Sequence, residues 1–305
     1  MRYHFADCLF EKIRELQTPL MVGLDPRLAN LPEEIRTKTN ATNAESIAEA
    51  FREFCCQIVE LSAGKVAVVK PQFAFFEQFG PPGFAALKSV ITFAKSKGLL
   101  VVGDAKRGDI GSTATGYANA YLNPEQVGGI PCDALTVNAY MGFDTIQAFM
   151  DVAASHGRGL FVLVKTSNPG SGEFQDQAID GRPLYQHIAE KVQLHADASK
   201  GETGFGNVGA VVGATYPEQL AELRQLMPNA PILIPGFGAQ GGKAEDLKKG
   251  FDSQGLGATV NSSRGIIFAY EKEEYREQFD RWQDAVGASI DDSIRQLRAI
   301  GETTE

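Results

Sequence analysis

Excess positive charge is what this chain most clearly lacks. Lys and Arg number 29 against 38 Asp and Glu, a formal net charge of −9. No basic field draws nucleic acid or anionic lipid to such a surface. An anionic ligand must therefore be captured by a local cluster of cations. Long apolar runs are missing too: no stretch of about 18 apolar residues is present to span a membrane. The segment from Met1 to Asp7 has neither the apolar core nor the cleavage pattern of an export signal. Cysteine is sparse, and Cys8, Cys55, Cys56 and Cys132 form no C-x-x-C pair and no metal-ligand spacing. These absences predict a soluble, cytoplasmic protein in a reducing compartment, with no metal site, no nucleic-acid partner and no membrane partner.

What is present is a regular alternation. Eight short apolar runs rich in Val, Ile and Leu fall at 20–25, 66–70, 99–104, 133–138, 159–165, 207–213, 231–235 and 257–262. Their near-continuous apolarity suits strands buried on both faces. Helical patterns lie between them at 43–61, 83–97, 111–122, 143–155, 182–198, 216–226 and 242–250, and a long one at 272–299 closes the chain. Eight strand-helix units in about 260 residues predict an α/β fold, the (β/α)8 TIM barrel, over an open doubly wound sheet. No Pro/Ser-rich linker divides the sequence. Residues 1–305 thus read as one barrel domain with loop inserts near 29–42 and 167–181. The second insert, rich in Gly, Ser, Pro and Asp, has the composition of a lid.

The densest chemistry follows the third run, in Asp104-Ala105-Lys106-Arg107-Gly108-Asp109-Ile110. Alternate residues of a strand share a face, so Asp104 and Lys106 point the same way. Charges at the end of a buried strand are costly to desolvate, and catalysis is the reason to place them there. A salt bridge at a strand end is the plainer alternative. In a barrel, active sites sit at the carboxyl ends of the strands. Asp25, Lys70, Ser167 and Arg264 all fall at or just past such ends. His4, His156, His187 and His195 do not, so the chemistry rests on Lys and Asp. The loop Gly236-Phe237-Gly238-Ala239-Gln240-Gly241-Gly242 matches G-x-G-x-x-G. It comes seventh, and the next strand ends without an acidic residue, which argues against dinucleotide binding. With Arg264 it reads instead as a phosphate site.

These motifs together resemble the orotidine 5′-phosphate decarboxylase family, in its longer second bacterial group. The resemblance covers essentially all eight strands. It rests on Gly23-Leu24-Asp25-Pro26-Arg27, Lys70-Pro71-Gln72-Phe73-Ala74-Phe75-Phe76-Glu77, the Asp104–Ile110 signature, and the Pro235–Gly242 loop with Arg264. It implies cofactor-free decarboxylation of orotidine 5′-monophosphate to uridine 5′-monophosphate in pyrimidine biosynthesis. Lys106 would stabilise and protonate the carbanion at C6, Asp104 would lie against the departing carboxylate, and Lys70 would complete the charge array. Asp109 would finish that array from the partner of a homodimer, and Thr113 would meet the ribose from the same partner. Asp25 would bind ribose hydroxyls and Ser167 the pyrimidine amide, while Gln240, Arg264 and backbone near Ser263 would hold the phosphate.

Two other functions compete. A metal-dependent sugar-phosphate aldolase of the same barrel superfamily shares the D-x-K-x-x-D pattern. A non-catalytic barrel that binds a phosphoribosyl ligand would need no Asp104-Lys106-Asp109 array.

Overall fold

The computed structural model describes residues 3–215, 217–237 and 244–301. Eight parallel strands close into a barrel and follow chain order around the ring. They are Leu20–Leu24, Val68–Pro71, Leu100–Arg107, Ala134–Val137, Gly159–Lys165, Val208–Val212, Ile232–Pro235 and Ala258–Ser262, strands one to eight below. Strand one pairs with strand eight, with Leu20 beside Val260, which closes the ring. The architecture is the expected (β/α)8 barrel. Helices Gly111–Leu122 and Phe143–Ser155 fall on the residues predicted for them. No helix among the described residues is long and apolar enough to cross a membrane.

The two-sided apolarity of the strands divides into two cores. Outward residues such as Val22, Val69, Val101, Val162 and Ile234 pack under the helices. Inward residues Met21, Val68, Leu100, Val102, Phe161, Val211 and Leu233 fill the lumen. That inner core also contains Phe5, Leu9, Phe10 and Ile13 from an N-terminal helix, Phe5–Leu16. This helix plugs the amino-terminal end of the barrel. Its apolar residues recur at helical spacing, but it precedes the first strand and lies outside the strand-helix repeat. Capping fixes its start: the Asp7 amide donates to His4 Nδ1 at 3.2 Å.

Both inserts are structured. The first holds a turn of 3-10 helix, Leu28–Asn30, and a short helix, Glu33–Arg36. It docks on the C-terminal region, where Trp282 Nε1 donates to Glu34 Oε1 at 2.7 Å. The second carries the short helix Gly172–Gln175 and a hairpin pairing Ala178–Ile179 with Arg182–Pro183. Lys165, buried at the end of strand five, ties it down through Asp176 Oδ1 at 2.6 Å.

The final helix differs from expectation. In place of one helix over 272–299 there are short turns Arg264–Ile267, Ala269–Glu271 and Glu273–Arg276, then a helix Trp282–Gly301. Between Tyr275 and Trp282 only Phe279 is apolar, so this stretch has no stripe to hold a helix against the core. The helix resumes where Trp282 packs against Phe54 at 5.4 Å.

Candidate active site

Strand three runs further than its apolar residues indicate, through Ala105 and Lys106 to Arg107. Its pairing with strand four shifts register between Gly103 and Arg107. Within this bulge Lys106 adopts φ +48°, the left-handed region. A non-glycine residue there costs about 1–3 kcal/mol and persists only where its surroundings enforce it. The bulge re-aims the side chain over the barrel mouth.

Asp104 organises the site. Its Oδ2 accepts from Lys70 Nζ at 2.7 Å and Gln72 Nε2 at 2.8 Å. Its Oδ1 accepts from Lys106 Nζ at 2.6 Å and Thr136 Oγ1 at 3.0 Å. Four donors thus occupy the carboxylate, two cationic and two neutral. Lys70 and Asp104 are buried, whereas the Lys106 side chain is 46% exposed and faces the mouth. Burial alone would raise the Asp104 carboxyl, but the Lys70 and Lys106 ammoniums outweigh it and hold it well below the usual range. Burial likewise works against the Lys70 ammonium, and the charges of Asp104 and Asp25 overcome it and raise its pKa.

Two cavities meet at Lys106. One, of about 450 Å³, is lined by Lys70, Asp104, Lys106, Thr136, Ser167 and Gln175. The other, of about 570 Å³, is lined by Asp25, Arg27, Gln72, Lys106, Arg107 and Arg264. The first is walled by apolar Leu163, Val211 and Leu233 and has the size of a small-ligand pocket. Asp25 Oδ1, Asn261 Oδ1 and Ser263 Oγ are buried without a partner along the same rim. Such orphaned polar atoms are expensive unless a ligand satisfies them. Gly23 makes this corner possible: a Cβ there would stand 2.7 Å from Ser263 Cβ.

Most of the predicted residues converge. Lys70, Asp104 and Lys106 touch, Ser167 shares their cavity, and Asp25 and Arg264 share the adjoining one. Two do not. Asp109 Oδ1 accepts from the neighbouring Ile110 amide at 2.8 Å, and the ion pair of Lys106 is with Asp104. Thr113 is exposed on the first turn of Gly111–Leu122. Gln240 lies outside the described residues. Gln72, Thr136 and Gln175 join the site without having been singled out by the sequence. Two of them do carry a signal there. Gln72 stands two residues after Lys70 on the same face, and Thr136 is the one polar residue within strand four. Gln175 lies in the insert, where it accepts from the Thr166 amide at 2.9 Å, and no pattern marks it. No group of three or more His, Cys, Asp or Glu side chains suited to a metal ion occurs among the described residues.

A charged Lys-Asp-Lys array over a cavity at the carboxyl rim defines a barrel enzyme site. The sequence profile of the orotidine 5′-phosphate decarboxylase / HUMPS family matches residues 18–279, and the chain belongs to that family. It is 48% identical to orotidine 5′-phosphate decarboxylase of Rhodopirellula baltica, over 96% of this chain and 99% of the relative. It is 40% identical to the enzyme so named from Caldicellulosiruptor saccharolyticus, over 95% and 98%. The solved structure of Leishmania donovani OMP decarboxylase superimposes with a TM-score of 0.77 at 33% identity, covering 99% of this chain and 100% of that one.

Proposed function

We propose that this protein is a single-domain, cytoplasmic enzyme that converts orotidine 5′-monophosphate to uridine 5′-monophosphate without metal or cofactor. The observation that carries this reading is the Lys70–Asp104–Lys106 array beside a cavity that also holds Ser167. The relatives' shared name supports the same reaction.

The pyrimidine occupies the smaller cavity, with its amide on Ser167 and C6 above Lys106. The carboxylate lies toward Asp104. The C6–CO₂ bond breaks, CO₂ leaves, and the electron pair stays on C6. The Lys106 ammonium, fixed before the charge develops, stabilises that pair and then transfers a proton to C6. Solvent restores the ammonium. Asp25 receives ribose hydroxyls through its unpartnered oxygen. Arg264 and backbone near Ser263 hold the phosphate, together with Gln240.

The active unit in this reading is a homodimer. Asp109 and Thr113 line neither cavity, and the stretches that follow strands three and four expose the apolar side chains Ile110, Tyr117, Tyr140 and Met141. Such a patch suits a two-fold interface. Across it each chain gives Asp109 and Thr113 to the other's cavity.

The direct test is loss of the ultraviolet absorbance of orotidine 5′-monophosphate on adding purified protein in EDTA. Turnover that chelator does not diminish is expected. No turnover, or turnover only with added divalent metal, overturns the reading.

A further inference from the structure

We infer that the hydroxyl of Thr136 is a positioning group for the reaction, joining the strained backbone of Lys106 to the carboxylate of Asp104. The inference rests on the function proposed above and adds to it a residue that does not itself touch the substrate's reacting atoms.

The geometry is specific to one oxygen. Thr136 Oγ1 accepts from the Ala105 amide at 3.0 Å and from the Lys106 amide at 2.9 Å. The same hydroxyl donates its only proton to Asp104 Oδ1 at 3.0 Å, since the alternative acceptor, the Gly103 carbonyl, is 3.5 Å away. Both amides lie in the bulge, where the regular ladder of strand three against strand four is interrupted. The paired positions on either side are Gly103 with Leu135 and Arg107 with Val137, so Ala105 and Lys106 fall between them and the Thr136 hydroxyl takes their amides. With the hydroxyl gone each would be a partly buried donor that has lost its acceptor, which relaxation of the bulge would relieve. Relaxation rotates Lys106 out of φ +48° and carries Nζ away from the mouth.

A valine at this place is nearly the same shape, and Ala134, Leu135 and Val137 complete strand four with apolar side chains, so packing alone does not call for a hydroxyl. The residue is 1% exposed, so solvent does not call for one either. The hydroxyl also completes the four-donor set around Asp104 and fixes which oxygen faces Lys106. One side chain therefore sets both the backbone and the counter-charge of the proton-donating lysine. A displacement of about 1 Å at such a group can cost about a hundredfold in rate.

The test compares Thr136→Val and Thr136→Ser with the unaltered protein. Thr136→Val is expected to lower kcat for orotidine 5′-monophosphate by about 10- to 100-fold, at little change in KM. It should slow, by a similar factor, the exchange of the C6 proton of uridine 5′-monophosphate into D₂O. In that exchange the Lys106 ammonium first gives a proton to solvent, the neutral amine takes the C6 proton as the C6–H bond breaks, the new ammonium exchanges with D₂O, and a deuteron returns to C6. Binding of uridine 5′-monophosphate, measured calorimetrically, and the thermal midpoint should change little. Thr136→Ser keeps the oxygen and should recover most of the loss. Valine activity equal to the parent overturns the inference, as does a parallel loss of kcat, product binding and stability. If the valine protein does not fold, the serine variant decides: a loss beyond about 30-fold there also overturns it. An unaltered protein that does not decarboxylate at all refutes the proposed function instead.

Discussion

Lys70 and Lys106 grip opposite oxygens of one carboxylate. Lys70 Nζ sits 2.7 Å from Asp104 Oδ2, and Lys106 Nζ 2.6 Å from Oδ1. Only Lys106 is open to the mouth, so the two cations differ in role despite nearly equal distances. Lys106→Ala should lower kcat by about 10²–10³ or more, while uridine 5′-monophosphate still binds. Steady-state rates and calorimetry check this, and substantial residual turnover would remove Lys106 from the chemistry.

Asp104 carries the stability of this trio. Asp104→Asn leaves Lys70 buried without its counter-charge, a loss of about 3–5 kcal/mol at neutral pH. The pH dependence has a definite sign. A carboxyl held below its ordinary 3.8 contributes stability that is full above that value and fades as pH falls toward its depressed pKa. Lys70, held above its ordinary 10.5, contributes below that value and fades as pH rises past it. The urea midpoint of the parent should therefore exceed that of Asp104→Asn by a steady margin from about pH 5 to pH 9, narrowing in acid and again as pH rises past the ordinary lysine value of 10.5. A margin that already shrinks near pH 6 would contradict the charge assignment.

Arg264 lines the larger cavity at the end of strand eight. Arg264→Ala should raise KM strongly and lower kcat/KM by the equivalent of about 2–5 kcal/mol. Orotidine, which lacks the phosphate, should be almost indifferent to the change. Equal damage to both substrates would mean that Arg264 supports structure, not phosphate.

Asp109 offers the sharpest test of the shared site. Lys106→Ala and Asp109→Ala proteins, each inactive, should regain activity when their subunits exchange. One site of the mixed dimer collects both defects and the other none. About half of the dimers are mixed, so roughly a quarter of parental sites should return. A mixture that stays inactive after demonstrated exchange would confine Asp109 to its own chain.

The plug helix should be separable from the chemistry. Phe10 is fully buried, its ring 4.4 Å from that of Phe205. Phe10→Ala should cost about 3–5 kcal/mol in chemical denaturation. The kcat of the molecules that remain folded should hold, because the site lies at the other end of the barrel.

How much of the fold and site is legible in the chain depends on the range of the interaction. Strand positions are read directly from runs such as Leu160 to Val164, because a strand buried on both faces is apolar at every position. Lys70, Asp104 and Lys106 are legible because charge at a buried strand end is too costly to keep without a task for it. The bulge at Lys106 is not, since it depends on the Thr136 hydroxyl thirty residues away. The fracture near Arg276 is legible in part: only Phe279 is apolar between Tyr275 and Trp282, and the placement of Trp282 against Phe54 and Glu34 then shows where the helix resumes. Asp109 illustrates a different limit, because its proposed partner belongs to another copy of the chain.

The helix Phe5–Leu16 turns the barrel into a one-ended vessel. With Phe5, Leu9, Phe10 and Ile13 sealing the floor at 3% exposure or less, nucleotide and gas must share a single doorway. In the proposed binding mode carbon dioxide forms beside Asp104, with the spent nucleotide between it and the mouth. The proposed binding mode makes nucleotide release the later step, since the next substrate needs the seat that the product nucleotide still holds.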